Sequence, residues 1–295
     1  MADAFQVLLI GVVVGALYGL VALGFGLIMR IMKFINIAQG SFIILGGFIC
    51  YWLVTIWHFD PYLSIPIVML AMFIVGLILY RLLFSPLLKY PQAEMRLDKS
   101  LLITFGVVWI LDNLEILIWT PNSRSVIPSY GYGTINIFGA SLSYTGIIGL
   151  GLAILAAAVL HIILTRTYFG KHVRAATEDA VAAGLSGVNV QRTYLISCGI
   201  AVALSGLAGT VIVTSYSVTP GGGMSWLLTA MVVVTLAGSD NMNFMIPAGI
   251  ILGVIQSAST LFISPAYQQP IALIIFLIII LFRPQGLFSK RVRVH

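Results

Sequence analysis

Long apolar runs separated by short polar breaks dominate the chain, and their lengths predict its elements. Runs at about 5–29, 41–57, 63–84, 100–119, 144–164, 193–214, 226–238, 245–262 and 270–282 read as apolar helices. The seventh and ninth are short for a membrane crossing, so they are half-helices, tilted pieces or re-entrant segments. The pattern predicts an all-α polytopic membrane protein of about eight or nine transmembrane helices, some broken or short. Glycine and other small residues recur every fourth position: Gly11, Gly15 and Gly19 in the first run, Gly149, Ala153 and Ala157 in the fifth, Ala201, Ser205 and Gly209 in the sixth. Such stripes let helix backbones approach closely in lipid, within one protomer or against a partner.

Composition agrees with that solvent. The 295 residues are 60% hydrophobic and 8% charged, with a mean hydropathy of +1.08. The chain is expected to form one transmembrane domain over 1–295. "MADAF" has no basic segment before the first run, which is therefore a retained span rather than a leader. The net charge of +6 favours a membrane explanation over a nucleic-acid partner, because of where the charges lie. Arg30 and Lys33, then Arg81, Lys89, Arg96 and Lys99, then Arg166, Lys171, Arg174 and Arg192, then Arg283, Lys290, Arg291 and Arg293 fall in alternate loops. Only Arg124 lies on the other side. Retention of basic loops in the cytoplasm places the N-terminus outside and the C-terminus inside.

The cytoplasmic loop at about 166–192 contains "GKHVRAATEDAVAAGLSGV", a charged, alanine-rich stretch that reads as one helix over 170–188. Lys171, Arg174 and Glu178 form a polar stripe, and Val173, Ala176, Ala180, Ala183 and Gly187 a small apolar one. The flat side suits a knob pressed into another protein or a helix lying at lipid headgroups, and the pattern alone leaves both open.

Polar groups inside the apolar runs mark candidate path residues. Asn36 and Gln39 join two spans with little loop between them, and Asp112 and Glu115 lie one turn apart in the fourth span. Buried polar groups in a span face protein, water or one another. The acidic pair either lines an outer vestibule or snorkels to the outer interface beside Arg124. Gln256, Ser257, Ser259 and Thr260 form a patch on the eighth span. "SVTPGGGMSW" reads as a turn or hinge on the outside. Cys50 and Cys198 read as buried free thiols. His58, His161, His172 and His295 have no metal-ligand spacing, and Gly170-Lys171 is not a phosphate loop, so catalysis and ATP hydrolysis by this chain are not expected.

Four segments, in order, resemble the permease subunits of branched-chain amino acid ABC importers. They are "YGLVALGFGLIMRIMKFINIAQGSF" with Asn36, Ala38, Gln39 and Gly40; "LITFG" with Thr104 and Gly106, followed by Asn113; the 170–189 loop with Gly170, Arg174, Ala175, Asp179, Ala182, Ala183, Gly187, Val188 and Asn189; and the closing "RPQGLF", 283–288. "LAGSDNMNF" departs from the family turn, keeping Gly238 and Ser239 but adding Asp240, Asn241 and Asn243. The resemblance implies an ABC importer permease fold in a bacterial cytoplasmic (inner) membrane. It further implies a second, distinct permease, two cytoplasmic ATPases that hold ATP and Mg, a periplasmic or lipid-anchored binding protein, and no cofactor in this chain. The loop would be the coupling helix, with Gly170, Arg174, Ala175, Ala176, Asp179, Ala180, Ala183 and Gly187 at the ATPase. Asn36, Gln39, Asp112, Asn113 and Gln256 are the path candidates. A permease of the same architecture for urea, amides or another small solute remains open, as does an ion-coupled secondary transporter.

Overall fold

The computed structural model describes residues 2–88, 93–128, 130–131, 133–137, 140–238, 241–262, 264, 267–282 and 286–288. Within them all nine apolar runs are helical. In chain order the helices are α1 (Ala2–Met32), α2 (Gln39–Trp57), α3 (Ile65–Leu79, continued as helix to Leu87), α4 (Ala93–Trp119), α5 (Tyr144–Arg166), the short α6 (Tyr168–Glu178) and α7 (Ala180–Leu185), then α8 (Val190–Ser215), α9 (Gly223–Ala237), α10 (Met245–Ser259) and α11 (Gln268–Phe282). Seven are long and apolar enough to span a bilayer. The other two apolar helices, α9 and α11, have 15 residues each and are the two short runs expected from sequence. The strand structure among the described residues is an antiparallel hairpin, β1 (Thr134–Ile137) with β2 (Ala140–Ser143), and an isolated bridge between Arg124 and Val218.

Glycine decides where the helices cross. A Cβ on Gly15 would lie 2.5 Å from the Gly249 carbonyl oxygen, and one on Gly249 would overlap the Gly15 and Gly19 backbone. The small-residue face of α1 therefore meets a matching Gly249-x-x-x-Gly253 face on α10, within one chain. With no hydrophobic force between helices in lipid, such close contact is what holds them. On α8 the same device serves α2, where Gly46 meets Gly206 and Gly209 meets Ile43 and Gly47. On α5 the Gly149 face approaches Val211 of α8. α8 is the central post, buried along nearly its whole length. By contrast α4 is covered over little of its length and presents Leu102, Trp109 and Leu117 outward.

Two segments run into the bundle rather than along its surface. α1 ends at Met32, and the chain then turns back so that Gln39, the first residue of α2, reaches the level of Gly24. Gly24 lies eight residues before the end of α1, about 12 Å of helix rise. Asn36 is 1% and Gln39 0% exposed. From the opposite end, residues 216–222 descend beside α2. Val218 is held by a backbone bridge to Arg124 and packs on Gly47, Gly222 approaches Ile44, and α9 starts at Gly223 against Gly40. The expected turn at "SVTPGGGMSW" is present at 220–222, with Gly221 exposed, and it ends at the buried Gly223, which brings two helix starts together. α2, long enough to cross, and the short α9 both begin inside the bundle and run in opposite senses from one meeting point.

Candidate functional site

Two places combine polar chemistry with structural irregularity: the α6–α7 loop and the meeting point of α2 and α9.

The loop is built by its caps. Thr167 is extended and its hydroxyl accepts from the Gly170 amide at 3.1 Å, starting α6. A Cβ at Gly170 would overlap the carbonyls of Ile163 and Leu164, so only glycine allows the chain to fold so tightly onto the end of α5. Arg174 donates to the Leu164 carbonyl, occupying an acceptor that the end of α5 leaves over. Asp179 then breaks the helix. Its backbone is extended (φ −147°, ψ 107°), and its Oδ1 accepts from the amides of Val181 at 2.8 Å and Ala182 at 3.0 Å. These two bonds hold the Asp179 carboxyl below its ordinary range. Gly187 closes α7 at φ 86°, where a side chain would be strained, and Asn189 caps α8 through the Arg192 amide.

The single helix expected over 170–188 is therefore two helices at an angle, because the Asp179 side chain satisfies amides that a continuous helix would have paired with carbonyls. The expected flat docking side is also corrected. Val173, Ala176 and Ala183 are buried in the chain itself, and the Tyr194 hydroxyl donates to the Ala176 carbonyl at 3.2 Å. Ala180 and Gly187 are exposed. The outward face is instead Val181 and Leu185, one turn apart and 74% and 87% exposed, with open space over Gly184 between them. A cleft of roughly 400 Å³ lies beneath, lined in part by Lys33, Arg96, Glu178 and Asp179. Another, lined by Arg30, Thr165, Arg174 and Asn243, gathers further groups at the same end of the bundle.

The meeting point is built from backbone. A Cβ on Gly40 or Gly223 would overlap the other's main chain. Neither helix has a side-chain N-cap: α2 is preceded by Ala38 and α9 by Gly222. The first-turn amides of both helices, which lack intrahelical acceptors, and the positive ends of both dipoles are thus concentrated in one place. Gln39 anchors it to the post: its Nε2 donates to Ser205 Oγ at 2.5 Å and to the Ala201 carbonyl at 3.3 Å, while its Oε1 accepts from Asn36 at 3.2 Å. The Thr104 hydroxyl accepts from the Ile37 amide at 3.3 Å, tying α4 to the same corner. Within the first turn of α2, Ser41 donates to Asp112 Oδ1 at 2.8 Å. Glu115 is fully buried, and neither of its carboxylate oxygens has a hydrogen-bond partner.

The structure thus sorts the path candidates. Asn36 and Gln39 are packed against α8. Gln256 is nearly buried and spans to the Gln268 carbonyl of α11 at 3.0 Å. Asp112 is half-buried and Asn113 exposed on α4. Asp112 does not pair with Arg124. Arg124 turns to Tyr51 and Thr120, while Asp112 is drawn inward by Ser41. Sequence reading passed over Ser225 and Thr229, both uncovered on the first turns of α9. Their four-residue spacing in an apolar helix was the available signal. Of the segment that departs from the family turn, Asn241 donates to the Phe288 carbonyl at 3.1 Å and Asn243 Oδ1 sits 2.6 Å from His161 Nδ1. Ser239 and Asp240 lie outside the described residues, as do Lys89, Arg283, Pro284, Gln285, Lys290, Arg291 and Arg293. Of the closing motif, the Leu287 amide donates to the Leu236 carbonyl and Phe288 stacks on Phe244, folding the chain back over the end of α9.

Comparison with known proteins bears on the same architecture. Residues 7–282 match the family described as the branched-chain amino acid transport system / permease component. The chain is 24% identical over 293 residues to the high-affinity branched-chain amino acid transport system permease protein BraD of Pseudomonas aeruginosa, covering 97% of this chain and 95% of that one. It is 27% identical over 280 residues to the probable branched-chain amino acid transport permease protein LivH of Methanocaldococcus jannaschii, covering 91% and 87%. With LivH of Escherichia coli K12 the figures are 23% over 290 residues, covering 95% and 94%. No solved structure matches the chain. A bundle of membrane-length helices, two helix starts meeting inside it, and a family match over most of its length lead to one conclusion: the chain is an integral membrane transport component and belongs to the branched-chain amino acid transport system permease family.

Proposed function

We propose that the whole chain is one permease domain of an ATP-driven importer that moves branched-chain or related neutral amino acids across the bacterial cytoplasmic membrane by alternating access. Its partners would be a second, related permease, two ATPase subunits that hold ATP and Mg, and a binding protein outside. The N-terminus lies outside and the C-terminus in the cytoplasm, with the basic loops at the inner face.

The observation that carries this reading is the outward face of α7 on a loop fastened to the core. Val181 and Leu185 offer apolar side chains with nothing of this chain over them, while α6 is tied to α5 through Arg174 and to α8 through Tyr194. Of the expected coupling residues, Gly170, Arg174, Ala175, Ala176, Asp179 and Ala183 shape and hold the loop, while Ala180 and Gly187 flank the surface the ATPase grips. A push on α7 would reach α8, and α8 holds Gln39 and with it the start of α2. Closure of the ATPases would thereby move the meeting point of the two helix starts and open the path, lined by Asp112 and Asn113, to one side or the other.

The test is uptake and ATP hydrolysis by the reconstituted transporter carrying Leu185→Asp. The expected result is loss of uptake with the permease still inserted and the core intact. Wild-type coupled uptake by this variant would remove the docking surface.

A further inference from the structure

The two helix starts and the acidic pair of α4 ask for opposite charges in one place. The uncapped amides of α2 and α9 favour an anion. Asp112 and Glu115 favour a cation. Asp112 Oδ1 is used by Ser41, while Oδ2 lies 3.8 Å from where a side chain on Gly221 would begin, just ahead of α9. Glu115, one turn further, is fully buried with both oxygens unpartnered, and its polar neighbours are the Asp112 carboxylate and the Gly221 backbone. A carboxylate buried this deeply, with a second carboxylate for a neighbour and no hydrogen bond made, is costly, and in a membrane such a group marks a transport site. A metal ion would satisfy the carboxylates but leave the amides; a simple anion would do the reverse.

We propose that this corner holds the zwitterionic head of an α-amino acid. Its carboxylate lies on the first-turn amides of α9, beside the exposed Gly221 and Ser225. Its ammonium is held by Asp112, with Glu115 buried one turn behind it. Ser225 and Thr229 continue a polar edge from the same helix start. The assignment rests on the importer reading above and adds to it a selectivity for charge-separated head groups at the membrane step: uncharged amides and ureas lack both poles.

The experiment is uptake of radiolabelled leucine into proteoliposomes containing the complete transporter with its binding protein. Asp112→Asn should lower turnover about tenfold, the order expected for losing a hydrogen bond to a charged group. The concentration dependence, set by the binding protein, should stay unchanged, as should the ATP hydrolysis that the loaded binding protein stimulates. Asp112→Glu should regain most of the rate, and Glu115→Gln should lose about threefold, a weaker effect from a group that does not touch the ligand. Ser41→Ala, which removes the neighbour of Asp112 but no charge, is the control for a scaffolding role and should retain most uptake. Unchanged turnover in Asp112→Asn overturns the assignment. So does a loss shared equally by Asp112→Glu and Ser41→Ala, or one that takes stimulated ATP hydrolysis with it. No amino acid uptake by the unaltered transporter would strike instead at the importer reading.

Discussion

α1 against α10 and α2 against α9 are both glycine-on-glycine contacts, yet they differ in what surrounds them. At the first, Gly11, Gly15 and Gly19 face Gly249 and Gly253 along two helices, and the flanking groups are apolar apart from Ser257. At the second, Gly40 and Gly223 touch where helices begin, among free amides, a serine, a glutamine and two carboxylates. Close backbone approach in lipid serves two ends. Along helix sides it gives adhesion; at helix starts it concentrates positive potential at depth and leaves polar groups unsatisfied. The first contact holds, and the second is where something can be bound.

The comparison is broken most severely at the adhesive contact. Gly249→Leu places a side chain into the Gly15 and Gly19 backbone, and the expected cost is about 3 kcal/mol or more, the upper end of overpacking. The readout is loss of monodisperse protein after detergent extraction. Gly223→Ala should cost somewhat less, about 2 kcal/mol, since one methyl is accommodated at helix starts more easily than along helix sides. It should abolish uptake while extractable protein remains. Gln39→Met leaves Ser205 and Asn36 without their partner, for about 1–2 kcal/mol in a thermal unfolding assay. Asp179→Ala touches neither contact and should act only on α7, as faster hydrogen exchange at Val181 and Ala182. The sign with pH follows from its lowered carboxyl: the cap is fully formed above the ordinary value of 3.8 and lost only as pH falls below that value, so exchange protection in α7 should be flat from neutral pH down to about 5. The smallest effect belongs to Gly106→Ala, which meets nothing within 4 Å in this chain and should change stability by under about 0.5 kcal/mol. A large loss of uptake from that substitution would mean that another chain covers α4 there.

The spans were legible because a run such as 193–214 has no plausible fate but a buried helix, and the two short runs declared themselves by length. Depth was not legible. "FINIAQ" and "SVTPGGG" read alike whether they turn at a membrane surface or halfway through it, since either setting wants glycine, proline and amides; what separates them is the partner 162 residues away, Ala201 for Gln39. The α1 stripe was visible but its complement, Gly249 and Gly253, was not sought. The break at Asp179 could have been read, as an aspartate ahead of a fresh apolar segment is an N-cap signal. The burial of Ala176 and Ala183 could not, because small residues at helical spacing fit inward and outward packing equally well.

The seam between Gly40 and Gly223 is made of main chain alone, and that has an evolutionary consequence. A joint without side chains offers natural selection nothing to vary, since any exchange at either position adds atoms where none fit. Relatives handling different cargo would have to diverge at the rim, at positions such as 112, 225 and 229, while the hinge beneath them is inherited unaltered.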